Sequence, residues 1–107
     1  GQARALGLAL TAEPLPAARA AEWGLIWKAV DDEALDAEVD ALAQRFAAAP
    51  TRGLAAIKRM IRQSWGHSLD QELDRQRDAM RELGYSEDYR EGVAAFMEKR
   101  TPVFTGR

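Results

Sequence analysis

The amino-acid sequence predicts an all-α chain of five or six helices. Apolar residues recur three and four apart in four successive segments, the spacing that lines one face of a helix. Proline, glycine and capping residues stand where those segments begin and end. The alternation a half-buried strand needs is nearly absent. Only Leu25-Ile26-Trp27-Lys28-Ala29-Val30 reads as extended, a connector or one short strand.

The first helix is expected from about Gln2 to Leu10, ending before Pro14, which has no N–H to continue it. Pro16 suits the first position of a short helix over Ala17 to Trp23, and Gly24 closes it in a left-handed conformation. Asp31 or Asp32 caps the next, which carries Leu35, Val39, Leu42 and Phe46. Pro50 stops that helix. Thr51 caps its successor, with Leu54, Ile57, Ile61 and Trp65 on one side and Gly66 at its end. Ser68-Leu69-Asp70-Gln71 has the pattern of a capping box. It opens a helix with Leu69, Leu73, Met80 and Leu83 inward, interrupted by Gln76 and terminated by Gly84; the same stripe would equally serve as a seam between subunits. Ser86 opens the last helix, with Tyr89, Val93, Phe96 and Met97 along one side. Thr101-Pro102 ends it before the tail Val103 to Arg107. The connections are too short for domain linkers, so residues 1–107 are expected to form one helical domain.

An apolar content of 47% supports a core, and 30% charged residues with a net charge of -2 give a mixed surface rather than the basic stripe of a nucleic-acid binder. The absence of cysteine excludes disulfides, cysteine-ligated zinc and thiol nucleophiles, and it suits a reducing cytoplasm. The chain opens Gly1-Gln2-Ala3-Arg4 without methionine or cap, as if inside a helix, and truncation is the simplest expectation. No basic-then-apolar leader is visible. No apolar run approaches the roughly 20 residues that cross a bilayer.

Candidates for chemistry are few. His67, the one histidine, lies between Gly66 and Ser68 at a helix junction, where a capping or solvent-facing role is expected rather than acid–base work. Glu72, Asp74, Asp78 and Glu82 alternate with Arg75, Arg77 and Arg81 in the manner of a solvated helix face. Trp23, Trp27 and Trp65 fall at helix ends or beside glycines and suit a core or an interface. No catalytic residue and no metal site is expected. The most suggestive pair is Phe96 and Lys99, three apart and so on one helical face: a ring that stacks on a base beside an ammonium that meets phosphate. Membership of the apolar stripe and of a helix C-terminus accounts for the same two residues without any ligand.

The run Tyr89-Arg90-Glu91-Gly92-Val93-Ala94-Ala95-Phe96-Met97-Glu98-Lys99-Arg100-Thr101-Pro102-Val103-Phe104 resembles the closing helix and tail of the enoyl-CoA hydratase/isomerase (crotonase) superfamily. Upstream, Ala3 to Glu13, Ala21-Glu22-Trp23-Gly24-Leu25-Ile26 and Pro50-Thr51-Arg52-Gly53-Leu54-Ala55-Ala56-Ile57-Lys58 resemble that family in the same order, so the whole chain is covered. Pro50 to Lys58, Ser68 to Leu73 and Ser86 to Arg107 look most like the branch that isomerises ring-epoxidised phenylacetyl-CoA to an oxepin thioester during phenylacetate breakdown.

The resemblance implies the helical C-terminal (trimerisation) segment of the crotonase fold, without its spiral ββα core. It further implies that Phe96 and Lys99 meet the adenine end of CoA, commonly in a neighbouring subunit's active site. Met80 would lie near the acyl pocket. The oxyanion hole and catalytic carboxylates belong to the core, so the segment alone is expected to be inactive. No tightly bound cofactor is implied. CoA thioester is the substrate of the parent enzyme, the assembly is a homo-oligomer (a trimer or a dimer of trimers in the parent), and neither nucleic acid nor membrane is a partner. The competing expectation is a stand-alone helical interaction module with no ligand.

Overall fold

Short-range signals set most of the helix boundaries in a computed structural model of the chain, which describes residues 1–107. Six α-helices form: α1 (Gln2–Thr11), α2 (Ala17–Glu22), α3 (Leu35–Ala47), α4 (Thr51–Gln63), α5 (Leu69–Gly84) and α6 (Glu87–Glu98). Single 3-10 turns at Asp32–Ala34 and Ser64–Gly66 precede α3 and follow α4. No strand is present, and the connector 25–30 is irregular backbone. The fold is all-α, as its periodicity implies.

The capping box at α5 is complete: the Gln71 N–H donates to Ser68 Oγ (3.3 Å) and the Ser68 N–H donates to Gln71 Oε1 (2.9 Å). Ser86 caps α6 by accepting from the Tyr89 N–H at 3.0 Å. Gly24 takes φ 72° after α2, where its N–H reaches the Ala21 carbonyl and the Leu25 N–H reaches that of Ala20, each at 2.9 Å. Three caps differ from expectation. Pro16 occupies the N-cap of α2 rather than its first turn, and Pro50 holds that position in α4, placing Thr51 inside the helix. Asp31 starts the 3-10 turn without any side-chain cap bond. Proline fixes φ at about −65° at the starts of α2 and α4 but offers no side-chain acceptor, so neither helix has a side-chain cap.

The chain divides into two units, Gly1–Glu38 and Val39–Arg107. Within the first, Ala20 is the buried residue. The Arg4 and Arg19 guanidiniums lie 5.2 and 5.4 Å from the Trp23 ring centroid, and Arg4 also donates to the Trp23 carbonyl at 3.0 Å. Cation–π contact and a hydrogen bond thus hold α1 to the end of α2. Lys28 pairs with Glu38 at 2.5 Å.

Within the second unit α4 packs on α5 and α5 on α6. Its buried residues are small or polar: Ala56, Ala95, Ser86 and Asp88. The apolar stripes mostly face outward. Leu69, Leu73 and Met80, expected inward, are exposed, while Leu83 is half-buried. Ile57, Ile61 and Trp65 are exposed too, Trp65 to 93%. Of the tryptophans only Trp23 is half-buried, and Trp27 stands in the open. Burying one such side chain is worth about 1.5–3 kcal/mol, and soluble monomers seldom display contiguous faces of this kind. Periodicity identified the faces correctly, but this chain does not cover them. No helix is long and apolar enough to cross a membrane.

Candidate functional site

The first two turns of α6 carry two carboxylates that determine the path of the C-terminal tail. Asp88, 5% exposed, accepts the Thr105 N–H at 2.7 Å and the Gly106 N–H at 2.9 Å, and its own N–H donates to the Arg107 carbonyl at 3.0 Å. One turn on, Glu91 accepts the Val103 N–H at 2.8 Å and both terminal nitrogens of Arg100, at 2.5 and 2.9 Å. The guanidinium and then the Val103 amide draw the Glu91 carboxyl down to about 2; Glu91 and then Glu98 push Arg100 further up. The tail therefore folds back along α6. Its Phe104 ring sits over Gly92, where an added Cβ would lie 3.6 Å from the ring. Gly106 (φ 79°) comes so close to the start of α4 that a Cβ there would lie 2.7 Å from Thr51 Oγ1. A side chain there would be strained at this positive φ and its Cβ would force the Thr51 hydroxyl to shift.

α6 ends at Glu98, before the Thr101-Pro102 stop expected for it. Lys99 adopts a left-handed conformation, φ 55° and ψ 39°, which is uncommon outside glycine, asparagine and aspartate. The Lys99 N–H donates to the Phe96 carbonyl (3.3 Å) and the Arg100 N–H to that of Ala95 (3.0 Å), the paired bonds of a Schellman turn. Lys99 thus leaves the helical face it was expected to share with Phe96. Both side chains remain exposed, Phe96 to 81%, and Lys99 makes no ion pair. Phe96 is therefore not a core residue of this chain.

Between α4, α6 and the tail lies an apolar groove of about 410 Å³. Pro50, Gly53, Leu83, Tyr89, Val93, Phe96 and Phe104 line it, with Arg52 and the satisfied Asp88 at its polar edge. Phe96 joins the groove; Lys99 and Met80 do not border it, and Met80 is 75% exposed on α5. The arrangement offers an accessible ring for stacking and a free ammonium for an anion, on a turn anchored by its neighbours.

Elsewhere the titratable groups are mostly tied to one another. His67 is half-buried rather than solvent-facing, with Nδ1 3.0 Å from Glu72 Oε2. Glu72 correspondingly leaves the solvated face assigned to it: its side chain is 14% exposed and lies 3.9 Å from Arg75 Nε. Arg75 also donates to Gln63. Asp74, Asp78 and Glu82 are exposed, as their alternation implies, and pair with Arg77 and Arg52. Asp78 and then Asp74 raise the Arg77 guanidinium. No three His, Asp or Glu side chains converge as metal ligands would. Sequence reasoning did not single out Asp88 or Glu91. The usable signal was Gly106, a left-handed residue in a short tail that needs something to hold it.

The sequence pattern of the enoyl-CoA hydratase/isomerase family matches residues 1–107. The chain is 50% identical over 107 residues to a 1,2-epoxyphenylacetyl-CoA isomerase of Escherichia coli, covering 100% of this chain and 41% of that protein. It is 44% identical to a "probable enoyl-CoA hydratase" of Rhodobacter capsulatus, covering 100% of this chain and 42% of the relative. Its fold is similar to that of a crystallised enoyl-CoA hydratase from Mycobacterium tuberculosis, with a TM-score of 0.84 at 40% identity, over 98% of this chain and 42% of that one. The chain spans about two fifths of the length of these relatives.

Proposed function

Because the chain belongs to the enoyl-CoA hydratase/isomerase family, we propose that it is the C-terminal oligomerisation and CoA-contacting segment of a cytoplasmic acyl-CoA isomerase acting on ring-epoxidised phenylacetyl-CoA. The observation that carries this reading is the 50% identity to a 1,2-epoxyphenylacetyl-CoA isomerase along all 107 residues. In this reading the Phe96 ring stacks on the adenine of CoA and the Lys99 ammonium meets its phosphate, reaching into a neighbouring subunit's active site. The exposed rows on α4 and α5 support assembly, since they need a cover that this chain does not supply. In the same reading Met80, exposed on α5, is the residue that faces the acyl pocket. The oxyanion-hole amides and catalytic carboxylates come from the spiral ββα core, so this chain alone does not turn over acyl-CoA.

The test is kinetic. The complete enzyme is assayed with 1,2-epoxyphenylacetyl-CoA and with crotonyl-CoA, and the chain alone with both. The expected result is a higher kcat/KM for isomerising the epoxide than for hydrating crotonyl-CoA, with no saturable turnover by the chain alone. Preference for crotonyl-CoA hydration would overturn the isomerase assignment. Turnover by the isolated chain would overturn the dependence on a core.

A further inference from the structure

We propose that Glu91 is a positioning residue for Lys99, holding the turn that presents its ammonium beside Phe96; the inference rests on the reading that Phe96 and Lys99 contact CoA. The starting observation is the backbone outlier. Lys99 has φ 55°, a left-handed conformation that is uncommon for a residue with a side chain and costs backbone strain. The residues on either side are fixed. Arg100 is tied through its N–H to the Ala95 carbonyl (3.0 Å) and through its guanidinium to both oxygens of Glu91 (2.5 and 2.9 Å). Its Nε also reaches Glu98 (2.6 Å), joining the two sequence neighbours of Lys99 across the turn. Glu91 then takes the Val103 N–H at 2.8 Å and so anchors the chain beyond the turn.

Every charge in this cluster has a partner except that of Lys99. Glycine would satisfy the backbone here at lower cost, so the turn carries an unpaired cation at the one position where a side chain is disfavoured. A lysine stem is long and flexible, and a mobile base would spread its ammonium over many positions. A turn clamped by Glu91 confines that spread, which lowers the ordering cost of meeting a phosphate. Glu91 itself need not touch the ligand.

The experiment uses the complete enzyme that carries this segment, with variants Lys99→Ala, Glu91→Gln, Arg100→Gln and the double variant Glu91→Gln/Lys99→Ala. Each is assayed on an acyl-CoA and on the matching acyl-pantetheine thioester, which lacks the nucleotide. Lys99→Ala is expected to raise KM for acyl-CoA by about tenfold or more, the worth of one hydrogen bond to a charged group, with kcat unchanged. Glu91→Gln and Arg100→Gln are each expected to raise it about threefold to tenfold, with little further rise in the double variant. KM for the pantetheine thioester should not move in any of them, which separates positioning from general damage. An unchanged KM in Lys99→Ala would overturn the CoA-contact reading itself. A normal KM in both Glu91→Gln and Arg100→Gln beside a raised one in Lys99→Ala would overturn only the positioning role. Equal losses on both thioesters would overturn it as well, by making Glu91 merely structural.

Discussion

Replacing Asp88 with asparagine should release the C-terminal tail, and the structure sets the size of the effect. The carboxylate is 5% exposed and accepts two tail amides, from Thr105 at 2.7 Å and Gly106 at 2.9 Å. Asparagine keeps one acceptor oxygen and turns an amide NH2 toward the other N–H. One bond to a charged group is lost, worth about 1.5–3 kcal/mol, and a half-buried N–H loses its acceptor at about 1–3 kcal/mol. The negative charge near the N-terminus of α6 disappears too, at about 0.3–1 kcal/mol. These terms overlap, so an expected weakening of about 2–4 kcal/mol follows. At about 1.4 kcal/mol per factor of ten, the lower figure is about a 30-fold change in the opening equilibrium. Amide hydrogen exchange on the complete enzyme reads that opening directly. Thr105 and Gly106 should lose at least about 30-fold protection, while Gln71 in the capping box of α5 stays unchanged. A loss smaller than about threefold at both tail amides would refute the reasoning, since neither bond could then be holding the tail.

Three further outcomes follow from the same elements. Gly106→Ala should destabilise the tail by at least about 1–2 kcal/mol, from its positive φ and the close approach to Thr51 Oγ1, and an unchanged thermal midpoint would refute it. Lys99→Gly should do the reverse, stabilising by about 1 kcal/mol because the left-handed turn no longer carries a Cβ, while weakening CoA binding; a lower midpoint would contradict the strain argument. Glu91 has its carboxyl lowered in the folded state from 4.5 to about 2. Its contribution to holding the tail should therefore be complete above pH 4.5 and lost as pH falls through about 2. Carbon NMR of the Glu91 carboxylate should give a midpoint near 2, and one near 4.5 would show that Arg100 does not hold it.

Helices were legible in the sequence wherever their signals were local. Ser68 with Gln71, Ser86, Gly24 and Gly84 act within a turn or so of their own positions, and each boundary falls where the residue predicts. The end of α6 was not legible, because a left-handed C-terminal residue is usually glycine and here it is Lys99. The Asp88 and Glu91 clasps were not legible either. They join residues 17, 18 and 12 apart, a separation at which no periodicity or capping rule operates. Burial was misread for a different reason. The Leu69, Leu73 and Met80 row has a helical period, but the period identifies a face and not its partner, and this chain leaves that face uncovered. Phe96 and Lys99 were singled out by their three-residue spacing and given an expected role by family resemblance, and the fold adds what neither could: the groove beside one and the clamped turn beneath the other.

The most direct measurement is the affinity of CoA for the complete enzyme by isothermal calorimetry, compared with that of the double variant Phe96→Ala/Lys99→Ala. If this helical end contacts the nucleotide of CoA, losing the stacking ring and the ammonium together should raise Kd by at least about tenfold. An unchanged Kd, with the variant folded and assembled, would contradict the account.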